Sequence, residues 1–280
     1  TAAELGVTKN TAPPSGMNAK SYCLIEADSK RILAAKDQNN RMPMASTTKI
    51  MTALLVMDAI SSGKIALDTP VVVSPTALAG IPNDASHMRP RLKAGEVMNV
   101  LSLLQAVMMV SDCHACNVLA ETVAGSVDNF VVMMNARAAA LGCTETNFVN
   151  TSGYPEANHY SNAYSLFLIT KEAMKYPLFE SIIAQTEVII PATNMANERK
   201  LETTNALLTV DSGYYNPYAV GGKTGSASSS GLCFVSAARN HKKTVISVIL
   251  GAATNTMSDG TRQKQQFAET NKLIEIGLAG

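Results

Sequence analysis

Residues 43–54 read Pro43-Met44-Ala45-Ser46-Thr47-Thr48-Lys49-Ile50-Met51-Thr52-Ala53-Leu54: a serine, a lysine three places on, then an apolar run. Apolar residues recur at Ile50, Leu54, Met57 and Ile60, with Met51 and Val56 alongside, which is helical spacing. Ser46, Thr47 and Thr48 are cap candidates and Ser62-Gly63 ends the run, so the pattern predicts a buried helix starting at or near Ser46. On a helix, residues i and i+3 share a face, which puts Lys49 one turn from Ser46 and within reach of its hydroxyl. A serine is a poor nucleophile until a base takes its proton. A lysine is that base only where burial and nearby cationic charge lower its pKa.

Upstream, Ser21–Glu26 and Arg31–Ala35 are short apolar runs around Ala27-Asp28-Ser29-Lys30, the pattern of a hairpin. The first twenty residues, with Pro13-Pro14-Ser15-Gly16, read as an irregular arm. Residues 68–212 read as mostly helical, with helices expected over Val97–Met109, Val118–Ala124 and Val127–Leu141 and a loop over Asn150–Asn158. Strands return at Gly231–Ala238 and Thr244–Gly251, and Thr261–Ile276 reads as a terminal helix. Strands at both ends with helices between imply that the two ends share one sheet while the middle forms a helical lobe.

With 280 residues and 46% hydrophobic content, the chain is long enough and apolar enough to bury a core. A formal net charge of +1 supplies no field for nucleic acid or an anionic membrane. Five scattered cysteines, an odd number in a long chain, argue against a disulfide framework. The apolar stretches near residues 100–110 and 245–253 fall short of the roughly 18 residues that span a bilayer. The N-terminus lacks the basic and apolar regions of a signal peptide.

Two further motifs follow Ser46-Thr47-Thr48-Lys49 in order: Ser111-Asp112-Cys113 after an apolar helix, and Lys223-Thr224-Gly225 after Gly221-Gly222 on an expected strand. S-x-x-K, S-D-N and K-T-G form the active-site set of penicillin-binding proteins and class A β-lactamases. Flanking segments extend the likeness: Leu141-Gly142, Thr146-Asn147-Phe148-Val149-Asn150, Asn158-His159-Tyr160-Ser161, and the strand ending Ala237-Ala238-Arg239. From about Lys20 onward the chain resembles a low-molecular-mass penicillin-binding protein of the D-alanyl-D-alanine carboxypeptidase family, serine peptidases of the S11 type.

The resemblance implies an α/β (α+β) penicillin-recognising fold: an antiparallel sheet from both chain ends, flanked by helices, plus the helical lobe. It implies a single catalytic domain, with residues 1–67 and 213–280 forming the sheet-containing part and 68–212 the helical part. The β-rich C-terminal domain of many relatives is expected to be absent. Ser46 would be the acylated nucleophile, Lys49 the base and Ser111 the proton relay. Lys223 and Thr224 of the Lys223-Thr224-Gly225 motif would hold a terminal carboxylate, and the N–H groups of Ser46 and Ser226 would form the oxyanion hole. The implied reaction releases D-alanine from peptidoglycan stem peptides ending in D-Ala-D-Ala. β-Lactams would be covalent inhibitors, no cofactor would be needed, and the enzyme would be exported to the extracytoplasmic face of the membrane or the cell wall.

The chain departs from the family where the middle motif ends in Cys113 rather than Asn, and at His114, where Asp is common. A thiol is a weaker donor and acceptor than a carboxamide, so Cys113 would loosen substrate binding and the hold on Lys49. That favours two alternatives, a DD-transpeptidase using an amine acceptor and an inactive peptidoglycan-binding protein; the three shared motifs leave a third, a class A β-lactamase with Glu156 as the nearest deacylation candidate. Cys113, Cys116, His114 and His87 also form a zinc candidate by C-x-x-C spacing, against the reading that they are ordinary buried residues. Cys23, Cys143 and Cys233 read as small core residues.

Overall fold

The segment SYCLIE at Ser21–Glu26 forms a strand, β1, in the computed structural model of the chain, and is buried on both faces. Cys23 and Ile25 turn into one core while Tyr22 and Leu24 turn into another, the two-residue alternation of a pleated strand. The structure describes residues 14–256 and 262–279. Most of the expected N-terminal arm, and Thr261 at the start of the expected last helix, lie outside the described residues.

After β1 come β2 (Ile32–Lys36), a 3₁₀ turn at Ala45–Thr48, and α1 (Lys49–Ser61). The middle of the chain holds β3 (Pro70–Val72), α2 (Pro75–Leu78), β4 (Val97–Asn99), α3 (Val100–Met109), α4 (Cys113–Ala124) and α5 (Val127–Ala140). It continues with α6 (Ala163–Ala173), α7 (Pro177–Ile183), β5 (Glu187–Ile190) and β6 (Arg199–Glu202). The chain then returns through β7 (Ala219–Ala227), β8 (Gly231–Arg239), β9 (Thr244–Ala252), β10 (Thr254–Thr256), β11 (Arg262–Lys264) and α8 (Gln265–Leu278). The main sheet runs β2-β1-β9-β8-β7, antiparallel throughout, so the two chain ends do share one sheet. One face is covered by α8, whose Phe267 meets Phe234 edge-to-face at 5.1 Å beside Leu273 and Ile274. The other is covered by α6, with α1 packed on it.

Helices α2 to α6 each start where a side chain satisfies a free N–H group. Asn99 Oδ1 accepts from Ser102 N at 2.8 Å, Asp112 Oδ1 from Ala115 N at 2.8 Å, and Asn162 Oδ1 from Ser165 N at 2.7 Å. Two expected boundaries move for this reason. The apolar run from Val97 is not helical from its first residue: Val97–Asn99 pairs with Pro70–Val72, and the helix begins after the Asn99 cap. Likewise α4 begins at Cys113 rather than Val118, because Asp112 caps it. The segment read as mostly helical also carries two small two-stranded sheets, β3–β4 and β5–β6.

The edge strand β7 carries Lys223-Thr224-Gly225, and Gly225 lies against the 3₁₀ turn that bears Ser46. A Cβ at Gly225 would stand 3.0 Å from Ser46 N and 3.1 Å from Met44 O. The strand end and the turn can sit this close only because that position has no side chain.

Candidate active site

Ser46 sits in the 3₁₀ turn Ala45–Thr48, where residues three apart eclipse one another. Lys49, the first residue of α1, therefore points its amine back over Ser46, with Nζ 3.0 Å from Ser46 Oγ. Thr47 Oγ1 and Thr48 Oγ1 donate to Met44 O and Ala45 O and tie the turn down. Lys49 has no exposed surface. Besides Ser46, its Nζ reaches Ser152 O at 2.6 Å and Cys113 Sγ at 3.5 Å.

Lys223 approaches from the other side, also buried, and donates to Ser111 Oγ and to Thr224 O, each at 2.9 Å. Burial, and then the charge of Lys49, push Lys223 down to about 7. Ser46, Ser111, Thr224, Gly225 and Ser226 line one cavity of about 290 Å³. Ser46, Cys113 and Ser226 line a second, of about 170 Å³, with Ser86 and Tyr154 opposite. The structure thus brings all eight sequence-predicted site residues to one place. A hydroxyl hydrogen-bonded to a buried amine has the geometry a nucleophile–base pair requires, and a second cation across the site would favour charge that develops between them.

Two non-glycine residues beside the site, Ala45 and Ser111, have φ of +46° and +66°. Left-handed backbone at such residues costs energy, and here it aims a side chain or a neighbouring turn into the cavity.

Several residues of the site were not picked out from the sequence. Ser152 contributes a backbone carbonyl, which no side-chain pattern announces. Gly153 follows it with φ of +80°, and a Cβ there would fall 1.9 Å from Ala45 O. Asp112, fully buried, holds Met88 N at 2.7 Å through Oδ2 while its Oδ1 caps α4, so it fixes the wall containing Ser86 to the helix bearing Cys113. Thr204 Oγ1 lies 2.6 Å from Thr224 Oγ1. His159, in the H-Y-S segment, is buried: its Nε2 meets Thr48 Oγ1 at 2.8 Å and its Nδ1 accepts from Val149 N at 3.1 Å. Burial, then the Lys49 charge, hold it down to about 4. It is a neutral strut under the turn that bears Ser46.

The zinc candidate does not assemble. Cys113 faces Lys49, while Cys116 donates to Asp112 O at 3.2 Å and burial pushes its thiol up. His87 and His114 meet only ring to ring, with centroids 6.5 Å apart. Among the described residues no group of three or more His, Cys, Asp or Glu is placed to hold a metal. All five cysteines are buried and unpaired.

The profile of the peptidase S11 family, described as D-alanyl-D-alanine carboxypeptidase, matches residues 7–254. The chain belongs to that family. It is 33% identical over 263 residues to the D-alanyl-D-alanine carboxypeptidase DacF of Bacillus subtilis, which covers 93% of this chain and 62% of that protein. The chain therefore spans about three fifths of the length of this relative. Among solved structures, the DD-transpeptidase of Streptomyces K15 superposes with a TM-score of 0.83 at 26% identity, over 96% of this chain and all of that one. Penicillin-binding protein D2 of Listeria monocytogenes, in its cefotaxime-bound form, superposes with a TM-score of 0.79 at 26% identity, over 95% of this chain and 99% of that one.

Two substitutions test the geometry. Gly153→Ala drives a Cβ into Ala45 and displaces the carbonyl that holds Lys49; it is expected to cost about 1–3 kcal/mol in chemical denaturation. Lys223→Met removes a buried cation whose folded pKa is lowered. The cost of that charge is full below about pH 7 and fades as pH rises toward the unfolded value. The melting temperature of the Met variant relative to the parent is therefore expected to be highest at pH 6 and to fall by pH 9. A pH-independent difference would contradict this.

Proposed function

We propose that the chain is a serine D-alanyl-D-alanine carboxypeptidase, removing the terminal D-alanine from peptidoglycan stem peptides. The observation that carries the reading is the 3.0 Å contact of Lys49 Nζ with Ser46 Oγ at the mouth of the cavity. In this mechanism Ser46 Oγ attacks the carbonyl carbon of the penultimate D-alanine and Lys49 takes the hydroxyl proton. The N–H groups of Ser46 and Ser226 receive the oxyanion. Ser111, bonded to Lys223, relays a proton to the leaving amine, and the C–N bond breaks to release D-alanine. Water then attacks the Ser46 ester and restores the hydroxyl. Thr224 and Lys223 face the leaving group and bind its carboxylate. A β-lactam is opened by the same attack, and the cefotaxime-bound relative supports that expectation. A cell-wall substrate places the enzyme on the extracytoplasmic face. Among the described residues no helix is long and apolar enough to cross a membrane.

Transpeptidation is the second reading, favoured by the likeness to the K15 enzyme and by Cys113 standing where a carboxamide would hold Lys49. A β-lactamase reading has no support from Glu156, which is exposed and lines a cavity of about 320 Å³ that does not include Ser46.

Incubation with benzylpenicillin is expected to give a one-to-one adduct by intact mass that is absent in Ser46→Ala. Rapid turnover with no adduct would favour the β-lactamase reading, and a new amide product with an added amine would favour the transpeptidase. As pH rises through about 7, buried Lys223 loses the charge that would bind the carboxylate of the leaving residue. The KM for a peptide ending in D-Ala-D-Ala is therefore expected to rise about three- to tenfold from pH 6 to pH 8. A KM that does not change with pH would remove Lys223 from carboxylate binding.

A further inference from the structure

The 170 Å³ cavity that joins Ser46 to Cys113 lies between two loops far apart in the sequence. Asp84 and Ser86, from the segment between α2 and β4, line one side of it, and Gly153 and Tyr154, from the loop after α5, line another. Tyr154 Oη donates to Asp84 Oδ1 at 3.1 Å, across 70 positions of sequence. Among the described residues this is the one hydrogen bond that joins the two loops, and the Asp84 carboxylate has no other partner. The Asp84 hydrogen bond, then burial, hold the Tyr154 phenol above its ordinary value, so it stays a donor.

Each loop is braced separately. Asn150 Nδ2 donates to Tyr154 O at 2.9 Å, and Asn150 Oδ1 accepts from Gly153 N at 2.8 Å. On the other side Arg91 Nη2 donates to Asn83 O at 2.7 Å, and Cys113 N donates to Ser86 O at 2.9 Å. A hydrogen bond between two braced walls acts as a crossbar and fixes their separation. At about 170 Å³ the cavity is well below the roughly 300 Å³ at which drug-sized groups are enclosed. Its width therefore decides what enters.

We propose that Tyr154 and Asp84 form a crossbar that sets the width of the acyl cavity and restricts the site to substrates whose acyl portion is slim beside the scissile bond. This rests on the reading of Ser46 as the acylated nucleophile, with the leaving group on the Thr224 side and the acyl portion on the Cys113 side. Tyr154, in the cavity wall, is then a specificity-determining residue. Asp84 is a positioning residue that acts through Tyr154.

The test compares two penicillins that share the bicyclic nucleus and its carboxylate, so that the leaving side is the same in both. Benzylpenicillin carries a methylene next to its side-chain carbonyl, whereas nafcillin carries a substituted naphthyl ring directly on it. The second-order rate constant for acylation is measured by intact mass in parent, Tyr154→Phe, Asp84→Ala and Asp84→Asn. The parent is expected to favour benzylpenicillin about tenfold. Tyr154→Phe and Asp84→Ala should each narrow that ratio about three- to fivefold, the effect of one exposed hydrogen bond. The double variant should narrow it no further, because both changes break the same bond. Asp84→Asn keeps an oxygen acceptor and should keep the parent ratio. No preference in the parent, a ratio unchanged in Tyr154→Phe and Asp84→Ala, or equal losses on both penicillins would overturn the proposal while leaving the carboxypeptidase reading intact. Failure of the parent to form an adduct with either penicillin, or to release D-alanine from a stem peptide, would instead remove the reading beneath it.

Discussion

Lys49 is the point on which the site turns. An amine with no exposed surface must find its hydrogen-bond partners within the protein, or its desolvation is uncompensated. Here the partners come from three separate parts of the chain: the Ser46 hydroxyl one turn away, the Cys113 thiol at the start of α4, and the Ser152 carbonyl in the loop after α5. The sheet-side turn, the helices and the loop are therefore held to one another at Ser46. Moving any of them strands a buried polar group. The chemistry and the packing of the site are one constraint.

The cost of that arrangement is visible around it. Ala45 and Ser111 hold left-handed backbone without being glycine, and Lys223 is buried with a lowered pKa. Gly153 and Gly225 sit where any side chain would strike the turn that bears Ser46. These features persist because the surroundings are over-determined. The sheet is buried on both faces, with Phe234 and Phe267 in one core and α1 almost wholly enclosed in the other. The hydrophobic effect of that double layer supplies the stability from which strain at the site is drawn.

What could be read from the sequence was what is local. The Ser46–Lys49 spacing, the alternation in β1, and the long apolar runs of β8 and β9 each carry their own signal over a few residues, and the structure follows them. The shared sheet followed from strands at both ends. What could not be read depends on partners distant in the chain. Val97–Asn99 looks like more helix until Pro70–Val72 is present to pair with it. Ser152 acts through its backbone, Asp112 through two N–H groups, one of them 24 residues away, and Thr204 through a hydroxyl 20 residues from its partner. His159 stood in a recognised segment, but only the fold shows that it is buried under Thr48. Asp112 and Asn99 did carry a usable signal, a cap residue immediately before an apolar run.

Cys113 is best understood from the distances around Lys49. The thiol lies 3.5 Å from Nζ and is a weak acceptor, whereas Ser152 O lies at 2.6 Å and is a strong one. The hold on the lysine therefore depends mainly on the 150–154 loop and less on the middle motif. That loop is itself fixed: Asn150 Oδ1 accepts from Ser152 N at 3.2 Å and Gly153 N at 2.8 Å, and Thr151 Oγ1 donates to Asn117 on α4 at 2.6 Å. A residue at position 113 can thus lose its carboxamide without releasing Lys49. What it gives up is a donor and an acceptor facing the 170 Å³ cavity. In the proposed reaction the substitution would bear on how tightly the acyl portion of a substrate is gripped, and so on which acceptor reaches the ester first, while the hold on Lys49 stays with the loop.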